Sequence, residues 1–277
     1  MIGFVGLVFS PWYHWSGRGD PANHCCLNVV LAGDGPRRFA MTDRGRAALG
    51  RKPDTLQIGP SRMHWTGREL VIDVDEWGAP PMVGPVRGRV VVTPRVVTEV
   101  EVVLNAGGAH IWRPFAPLAD ISVELSPGSA WQGHGYFDAN FGARPLEQDF
   151  RTWTSGRYPD GDRALCFHDG VRRDGRRLSR ASEADQPGLR KVPPPPQLVL
   201  KRSAWGLKRA TRGDAGSVPV QRQSLLDAPF YSRSAVETHL GGKPVLGVHE
   251  ALVLDRYRWP WLKPMIALRV PGRAGWP

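Results

Sequence analysis

The sequence has few cysteines and no long apolar run, and both absences exclude classes of protein. Its three cysteines, Cys25, Cys26 and Cys166, have no metal-ligand spacing and are odd in number. They therefore predict neither a zinc site, nor a disulfide framework, nor redox function, and they favour a reducing compartment. No stretch is long enough to cross a bilayer. The apolar residues 1–9 lack a basic region and a cleavage site, which predicts a buried strand rather than a signal peptide.

Aromatic side chains are scarce where positive charge is densest. The chain carries 37 Lys and Arg against 26 Asp and Glu, a net charge of +11, which predicts attraction to phosphate-bearing partners. Lys and Arg crowd residues 172–212, and few aromatics are interleaved with them. Because a surface that stacks on bases needs aromatic rings, nucleic acid is not a predicted partner. The predicted partner is instead an anionic membrane surface, which the protein would contact peripherally.

Helical periodicity is also scarce. Only residues 42–49 have the pattern of a short helix, started by Thr42 or Asp43. Short alternating or β-branched runs separated by turn signals recur instead, which is typical of an all-β barrel or sandwich. The predicted strands are 27–31, 70–74, 86–92, 96–104, 121–125, 197–200, 245–254 and 265–270.

Four consecutive prolines at 193–196 are the one clear break in composition. A proline run is stiff and extended, so it predicts a linker between domains 1–192 and 197–277. An irregular loop within one domain is the alternative interpretation. The length of 277 residues leaves room for one large or two modest cores.

The best site candidate is residues 131–149, W-Q-G-H-G-Y-F-D-A-N-F-G-A-R-P-L-E-Q-D. Alternation along a strand places a polar set on one face and an apolar set on the other. The polar set is Gln132, His134, Tyr136, Asp138 and Asn140, and the apolar set is Trp131, Phe137, Ala139 and Phe141. A solvated polar face is the ordinary interpretation. The interspersed glycines favour a ligand site instead, because glycine in a strand often marks a close approach to a ligand.

A second run, upstream, adds an imidazole and an indole. His110 and Trp112 are two residues apart and share a strand face. If this face and that of Asp138 line one cavity, two chemistries are open. One is a metal triad of His110, His134 and Asp138, although tight ligand spacing is missing. The other, which the pattern favours, is acid catalysis by a carboxyl in an apolar pocket, with aromatic rings to stabilise positive charge.

Nine sequence motifs are spread along the whole chain. They are F-S-P-W-Y-H-W (9–15), N-H-C-C-L-N-V (23–29), R-F-A-M-T-D-R-G-R (38–46), L-Q-I-G-P-S-R-M-H-W (56–65), D-V-D-E-W-G-A-P (73–80), H-I-W-R-P-F-A-P-L-A-D-I (110–121), G-H-G-Y-F-D-A-N-F-G (133–142), L-E-Q-D-F-R-T-W (146–153) and H-E-A-L-V-L-D-R-Y (249–257). These motifs resemble those of one enzyme family, the carotenoid 1,2-hydratases, also called hydroxyneurosporene synthases. The similarity is dense to about residue 170, is looser but continuous to the end, and is specific because the motifs occur in order.

This resemblance implies tandem lipocalin-like antiparallel β-barrels and a cytoplasmic protein bound peripherally to the inner, photosynthetic membrane. It also implies cofactor-independent addition of water to the C-1,2 double bond of neurosporene or lycopene, giving 1-hydroxy carotenoids, with other carotenoid-pathway enzymes as possible partners. Similar proteins usually carry a Trp-Trp-Tyr strand ahead of the segment that matches residues 1–12. This sequence lacks it, so the first barrel is expected without that strand.

Hydration of such an alkene needs a proton donor, a stabilised cation and a bound water, but no metal or cofactor. We expect Asp138 to donate the proton and Trp112 to face the cation, while His134, Tyr136 and His110 orient the acid or hold water. Residues predicted to line the substrate channel are Trp12, Tyr13, Phe115, Phe141 and Trp153. Glu147 and Asp149 are expected to partner nearby histidines or arginines, and Asp73, Asp75 and Glu76 to lie on a solvated strand face. A non-catalytic carotenoid or lipid carrier is the alternative function.

Overall fold

A computed structural model describes residues 1–33, 35, 37–105 and 107–272. The described residues form two compact units, the first from 1–93, 120–133 and 260–272, and the second from 94–119 and 134–259. The prolines at 193–196 lie within the second unit. The predicted division into domains 1–192 and 197–277 stays a prediction.

Antiparallel strands make up most of the structure. In the first half of the chain they are β1 (Ile2–Val5), β2 (Cys25–Leu31), β3 (Arg38–Ala40), β4 (Leu49–Lys52), β5 (Thr55–Ile58), β6 (Ser61–Trp65), β7 (Leu70–Gly78), β8 (Gly84–Val96), β9 (Val102–Val103), β10 (His110–Ser126) and β11 (Ser129–Gly142). In the second half they are β12 (Phe150–Asp160), β13 (Arg163–Arg172), β14 (Arg177–Asp185), β15 (Gly188–Val192), β16 (Gln197–Leu200), β17 (Arg209–Arg212), β18 (Val220–Asp227), β19 (Tyr231–Leu240) and β20 (Lys243–Val253).

Helices are short. They are α1 (Pro11–Trp15), α2 (Leu146–Asp149), α3 (Leu254–Tyr257) and α4 (Leu262–Ala267), with 3₁₀ turns at Pro21–Asn23 and Arg46–Ala48. The Ser10 side chain caps α1 by accepting hydrogen bonds from the amides of Trp12 and Tyr13. Among the helices of the described residues, none is both long enough and apolar enough to cross a bilayer.

The first unit contains a three-stranded sheet, β1-β2-β3, and strands of a sheet ordered β11-β10-β8-β7-β6-β5-β4. Alternation along β7 buries Ile72 and Val74 and turns Asp73 and Asp75 outward to pair with arginines. Glu76 departs from the predicted solvated face. It is in phase with Ile72 and Val74, so its carboxylate is buried and pairs with Arg44 at 2.7 Å.

The second unit contains a seven-stranded sheet ordered β15-β14-β13-β12-β20-β19-β18. One face is buried, and the β16–β17 hairpin contacts it where the Tyr158 and Thr211 hydroxyls lie 2.6 Å apart. The other face carries half-buried polar side chains, among them Ser155, Arg233 and Glu250. This half-buried face, with the adjoining parts of β10 and β11, carries the candidate site.

The all-β prediction is confirmed, and most predicted strands lie within observed ones. Among the described residues no closed barrel is found, and the tandem barrels stay a prediction. The helix predicted at 42–49 is wrong: only a 3₁₀ turn forms, because buried Asp43 is held by Ser10 and His24. Of the strand predicted at 96–104, only Val96 at the end of β8 and the two residues of β9 are in strands, and half of the strand predicted at 265–270 belongs to helix α4. Short apolar runs do not distinguish buried strand from buried helix.

Candidate active site

The site is built around a contact between Trp112 on β10 and Asp138 on the adjacent strand β11. The buried Trp112 indole donates from Nε1 to Asp138 Oδ2 at 2.7 Å. Burial raises the pKa of the Asp138 carboxyl, and the negative Glu250 raises it further, whereas the Trp112 hydrogen bond, Arg233 and Arg157 act in the opposite direction. Because the raised pKa is the net result, the carboxyl holds its proton more tightly than a solvated aspartic acid does.

Tyr136 lies two residues before Asp138, on the same strand face. The residue keeps 37% of its surface accessible, yet burial is the largest cause of the raised pKa of its phenol. Tyr136 and Asp138 are both partly accessible, and the space beside them is called the recess. The Arg157 guanidinium carbon lies 4.9 Å from the ring centroid. Arg157 also donates to the carbonyls of Pro117 and Gly135, which ties β12 to β10 and β11.

A series of aromatic contacts begins at the indole of Trp112. The His168 imidazole lies 4.5 Å from Trp112 and 5.5 Å from Trp153, between ring centroids. Trp153 in turn contacts Phe150 edge to face. Burial lowers the pKa of His168 to about 4, so its ring is neutral near pH 7. The result is a buried aromatic wall with one neutral imidazole in it.

An ion pair stands on the same face of the seven-stranded sheet. Arg233 Nε donates to Glu250 Oε1 at 2.6 Å, and a second guanidinium nitrogen binds the same oxygen. Tyr231 interacts with Glu250 through a side-chain hydrogen bond, and burial is the largest cause that raises the pKa of its phenol. The recess therefore has one carboxyl with a raised pKa and one carboxylate held by a guanidinium.

The two predicted histidines have different surroundings. His110 is buried and its Nε2 lies 2.7 Å from Asp149 Oδ2, while Arg144 binds the other oxygen of Asp149. Asp149 therefore pairs with Arg144 of the 131–149 stretch, and its histidine partner is His110 on β10 rather than His134 of that stretch. His134 is exposed, with its Nδ1 3.4 Å from Arg95 Nη2.

The alternative metal triad is not assembled. His110, His134 and Asp138 each have different neighbours, as described above. Within the described ranges no group of three or more His, Cys, Asp or Glu side chains is arranged to hold a metal ion.

Comparison with known proteins identifies the family. A family model described as carotenoid hydratase CrtC matches residues 1–277. The acyclic carotenoid 1,2-hydratase of Cereibacter sphaeroides is 58% identical over 277 residues, covering 100% of this chain and 99% of that protein. That of Rhodobacter capsulatus is 56% identical over 279 residues, again covering 100% and 99%. This chain belongs to the carotenoid hydratase family.

Among solved structures, that of an AttH-type protein from Nitrosomonas europaea is similar, with a TM-score of 0.54 and 14% identity over 74% of this chain and 71% of the other. At that identity the similarity concerns the fold alone. Membership of the hydratase family makes this chain a member of an enzyme family of hydro-lyases.

In this hydratase-family chain, the predicted channel residues divide into two groups. Trp153 joins the aromatic wall. Phe115 lies three residues from Trp112 on the strand, so it faces the other side and contacts Phe137 at 5.5 Å between centroids. Phe141 is also on that other side and is exposed. Neither Phe115 nor Phe141 is therefore placed beside Trp112.

Trp12 and Tyr13 belong to the first unit and lie on helix α1. The helix forms because Ser10 caps it and Pro11 occupies its first position. Trp12 donates to the Val270 carbonyl at 2.6 Å, and the ring of buried Tyr13 lies 5.0 Å from His24. Their role in substrate binding stays a prediction.

Sequence reasoning missed the groups contributed by the second half of the chain. They are Arg157, His168, Tyr231, Arg233 and Glu250. A signal existed for Glu250, which stands in the H-E-A-L motif that carries the family resemblance. The others sit in alternating strands that look like ordinary half-solvated ones, and no local pattern separates them.

Proposed function

We propose that this protein adds water to the C-1,2 double bond of an acyclic carotenoid, such as neurosporene or lycopene, to give a 1-hydroxy carotenoid. The observation that carries the proposal is the Trp112–Asp138 contact, which positions a carboxyl with a raised pKa in an aromatic recess. Family membership supports it, since the relatives from two bacteria are named acyclic carotenoid 1,2-hydratases.

The proposed reaction has two steps. The Asp138 O–H bond breaks and its proton forms a bond with C2, which leaves a tertiary cation at C1. A bound water then forms the C1–O bond, and its surplus proton returns to the Asp138 carboxylate, directly or through the Tyr136 hydroxyl. The atoms balance as alkene plus water to alcohol, and these steps use neither a metal nor a cofactor.

The aromatic rings alone do not account for such catalysis. A desolvated cation–π contact contributes about 2 kcal/mol, whereas a millionfold acceleration requires about 8 kcal/mol. The larger share must come from a carboxyl that is already protonated and oriented in a recess with little water. The Trp112 hydrogen bond supplies that orientation.

The test is conversion of lycopene in detergent or liposomes, with a metal chelator and no added cofactor. We expect Asp138→Asn to bind lycopene but to lose hydration by about 100-fold or more, because an amide has no acidic proton to transfer. Asp75→Asn, which neutralises a carboxylate in an exposed pair with Arg87, is the matched control and should keep wild-type activity. An active Asp138→Asn variant would assign the proton to another group. If the wild type binds lycopene but does not hydrate it, the result would instead support the alternative function, a non-catalytic carotenoid or lipid carrier.

An anionic membrane surface is the proposed source of this water-insoluble substrate, and other carotenoid-pathway enzymes remain predicted partners. In the first unit, α1 packs against α4, and these helices and their ends expose large apolar residues, with Trp15 at 51%, Trp261 at 52% and Leu268 at 73%. Apolar and aromatic anchors of this kind, on a protein of net charge +11, suit an anionic lipid interface.

The basic segment 172–212 is a weaker membrane contact than its composition indicates. Arg190 pairs with Glu183, and Arg212 pairs with Asp169, so part of the positive charge is balanced within the protein. We therefore place the contact at the ends of α1 and α4.

A further inference from the structure

The Arg233–Glu250 pair has no part in the two proposed steps, yet it lies on the face of the sheet that carries them. Side chains of directly paired residues on neighbouring strands lie side by side on one face. Ser155 pairs with His168 on one side and with Glu250 on the other, and Glu250 pairs with Arg233. These four residues therefore form one row across β13, β12, β20 and β19.

Asp138 faces this row. Its hydrogen-bond donor, Trp112, packs its ring on His168, the first member of the row. Arg157 lies two residues after Ser155 on β12 and so on the same face, and its guanidinium contacts the ring of Tyr136. Both contacts turn the polar face of β11 towards the row.

The charged groups around Asp138 are few. Among the residues that the structure describes, the cations that act on the Asp138 carboxyl are Arg157 on β12 and Arg233 on β19, and the anion that acts on it is Glu250 on β20. The remaining titratable groups are Tyr136 on β11, Cys166 and His168 on β13, and Tyr231 on β19. These four are neutral near pH 7, because burial raises the pKa of the two phenols and, to about 11, that of the Cys166 thiol, and lowers that of His168 to about 4. Without Glu250, Asp138 would face two unbalanced guanidinium groups.

We propose that Glu250 is a positioning residue of the site: held by Arg233 and Tyr231, it balances the Arg233 charge and so keeps the Asp138 carboxyl in the protonated form. The inference rests on the proposed function, in which that proton is the one transferred to C2. It assigns a role to a half-buried ion pair that packing alone does not require, since an apolar pair of similar volume is often at least as stable.

The physical argument compares opposite charges near one carboxyl. A cation within about 4–6 Å lowers the pKa of a carboxyl by about 1–3 units, and an anion raises it. Replacing Glu250 by Gln removes the anion and leaves Arg233, so the pKa of Asp138 falls. Hydration requires protonated Asp138, so activity is present below that pKa and is lost as the pH rises through it.

The first experiment is the pH profile of lycopene hydration. In Glu250→Gln we expect the alkaline limb to move to lower pH by about one unit, with activity largely retained on the acid side. Arg233→Met keeps the anion and removes the cation, and should move the limb to higher pH. The double variant Arg233→Met/Glu250→Gln should return the limb towards the wild-type position, because both charges are gone.

The matched control is Glu237→Gln, the same substitution at a glutamate of β19 that lies on the same strand face as Arg233. Glu237 pairs with the exposed Arg222. The alkaline limb of the pH profile of Glu237→Gln should coincide with that of the wild type. A general loss of activity in Glu250→Gln with an unmoved limb would overturn the positioning role and indicate a direct part in water activation.

A second readout separates this inference from the proposed function. The infrared C=O band of the protonated Asp138 carboxyl, assigned by its loss in Asp138→Asn, can be titrated without substrate. We expect the titration to move to lower pH in Glu250→Gln and to higher pH in Arg233→Met. If the wild type makes no hydroxy carotenoid but the band moves in this way, the proposed function is wrong and the positioning role of Glu250 is retained. If the wild type hydrates lycopene but the band does not move in either variant, the positioning role of Glu250 is wrong.

Discussion

At the scale of single residues, the hydrogen bond between Trp112 and Asp138 acts in two opposed ways. It orients the acid, which favours proton transfer to a fixed carbon. It also lowers the pKa of the carboxyl, because a donor stabilises the ionised form. Burial outweighs this second effect, so the pKa of the oriented acid is raised overall. The indole N–H, rather than the ring, is responsible for both effects.

Replacing Trp112 by Phe separates these effects, since it keeps an aromatic ring and removes the N–H. We expect the alkaline limb of the pH profile to move to higher pH, because the pKa of Asp138 rises. We expect the maximal rate to fall by about 10- to 100-fold, because the carboxyl is no longer held in place. Trp153→Phe is the control, since Trp153 contacts His168 and has no hydrogen bond to Asp138 among its contacts described above. A limb that moves to lower pH in Trp112→Phe would contradict this account.

At the scale of elements, the β16–β17 hairpin covers the face of the large sheet opposite the site. The Arg212 guanidinium on β17 binds the Asp169 carboxylate on β13 through two nitrogens, at 2.9 and 2.5 Å. The same guanidinium donates to Ser179 and to the Pro195 carbonyl. This pair joins β13 and β14 to the hairpin and to the proline segment before it. One ion pair thus fixes the layer that supports the site from behind.

Asp169→Asn should lower the free energy of unfolding by about 3 kcal/mol, because it leaves a largely buried guanidinium without its counter-charge. Urea denaturation measures the loss, and hydrogen exchange should show faster exchange in β16 and β17 than in β19 and β20. The double variant Asp169→Leu/Arg212→Met should recover much of the stability, since no unpaired charge remains. Arg222→Gln, in an exposed pair, should change the denaturation midpoint little. A double variant as unstable as Asp169→Asn would show that the residues act separately.

At the scale of the whole molecule, a strongly basic protein with exposed tryptophans should bind anionic bilayers. We expect co-sedimentation with vesicles that contain anionic lipid, weaker binding to neutral vesicles, and release as salt rises, because screening weakens the attraction. Trp15→Ser/Trp261→Ser should bind much less, because it removes two apolar anchors. Trp205→Ser, which removes a tryptophan of similar exposure elsewhere, is the control. An equal loss of vesicle binding in both variants would show that the membrane contact is not at the ends of α1 and α4.

The sequence by itself determined the fold class and the first half of the site. Alternation is a local property of a strand, so spacing alone put Tyr136 with Asp138 and His110 with Trp112, and it indicated many antiparallel strands. The ordered motifs also identified the family. These inferences needed no knowledge of which strand lies beside which.

Only the tertiary structure decided which of these faces meet and what else joins them. Trp112 and Asp138 are 26 residues apart, and Arg157, His168, Arg233 and Glu250 come from strands later in the chain, so no local periodicity relates them. The same holds for residues 42–49 and 265–270, where contacts with distant segments overrode the local pattern. Sheet pairing is long-range, and it is sheet pairing that sets the charge around the Asp138 carboxyl.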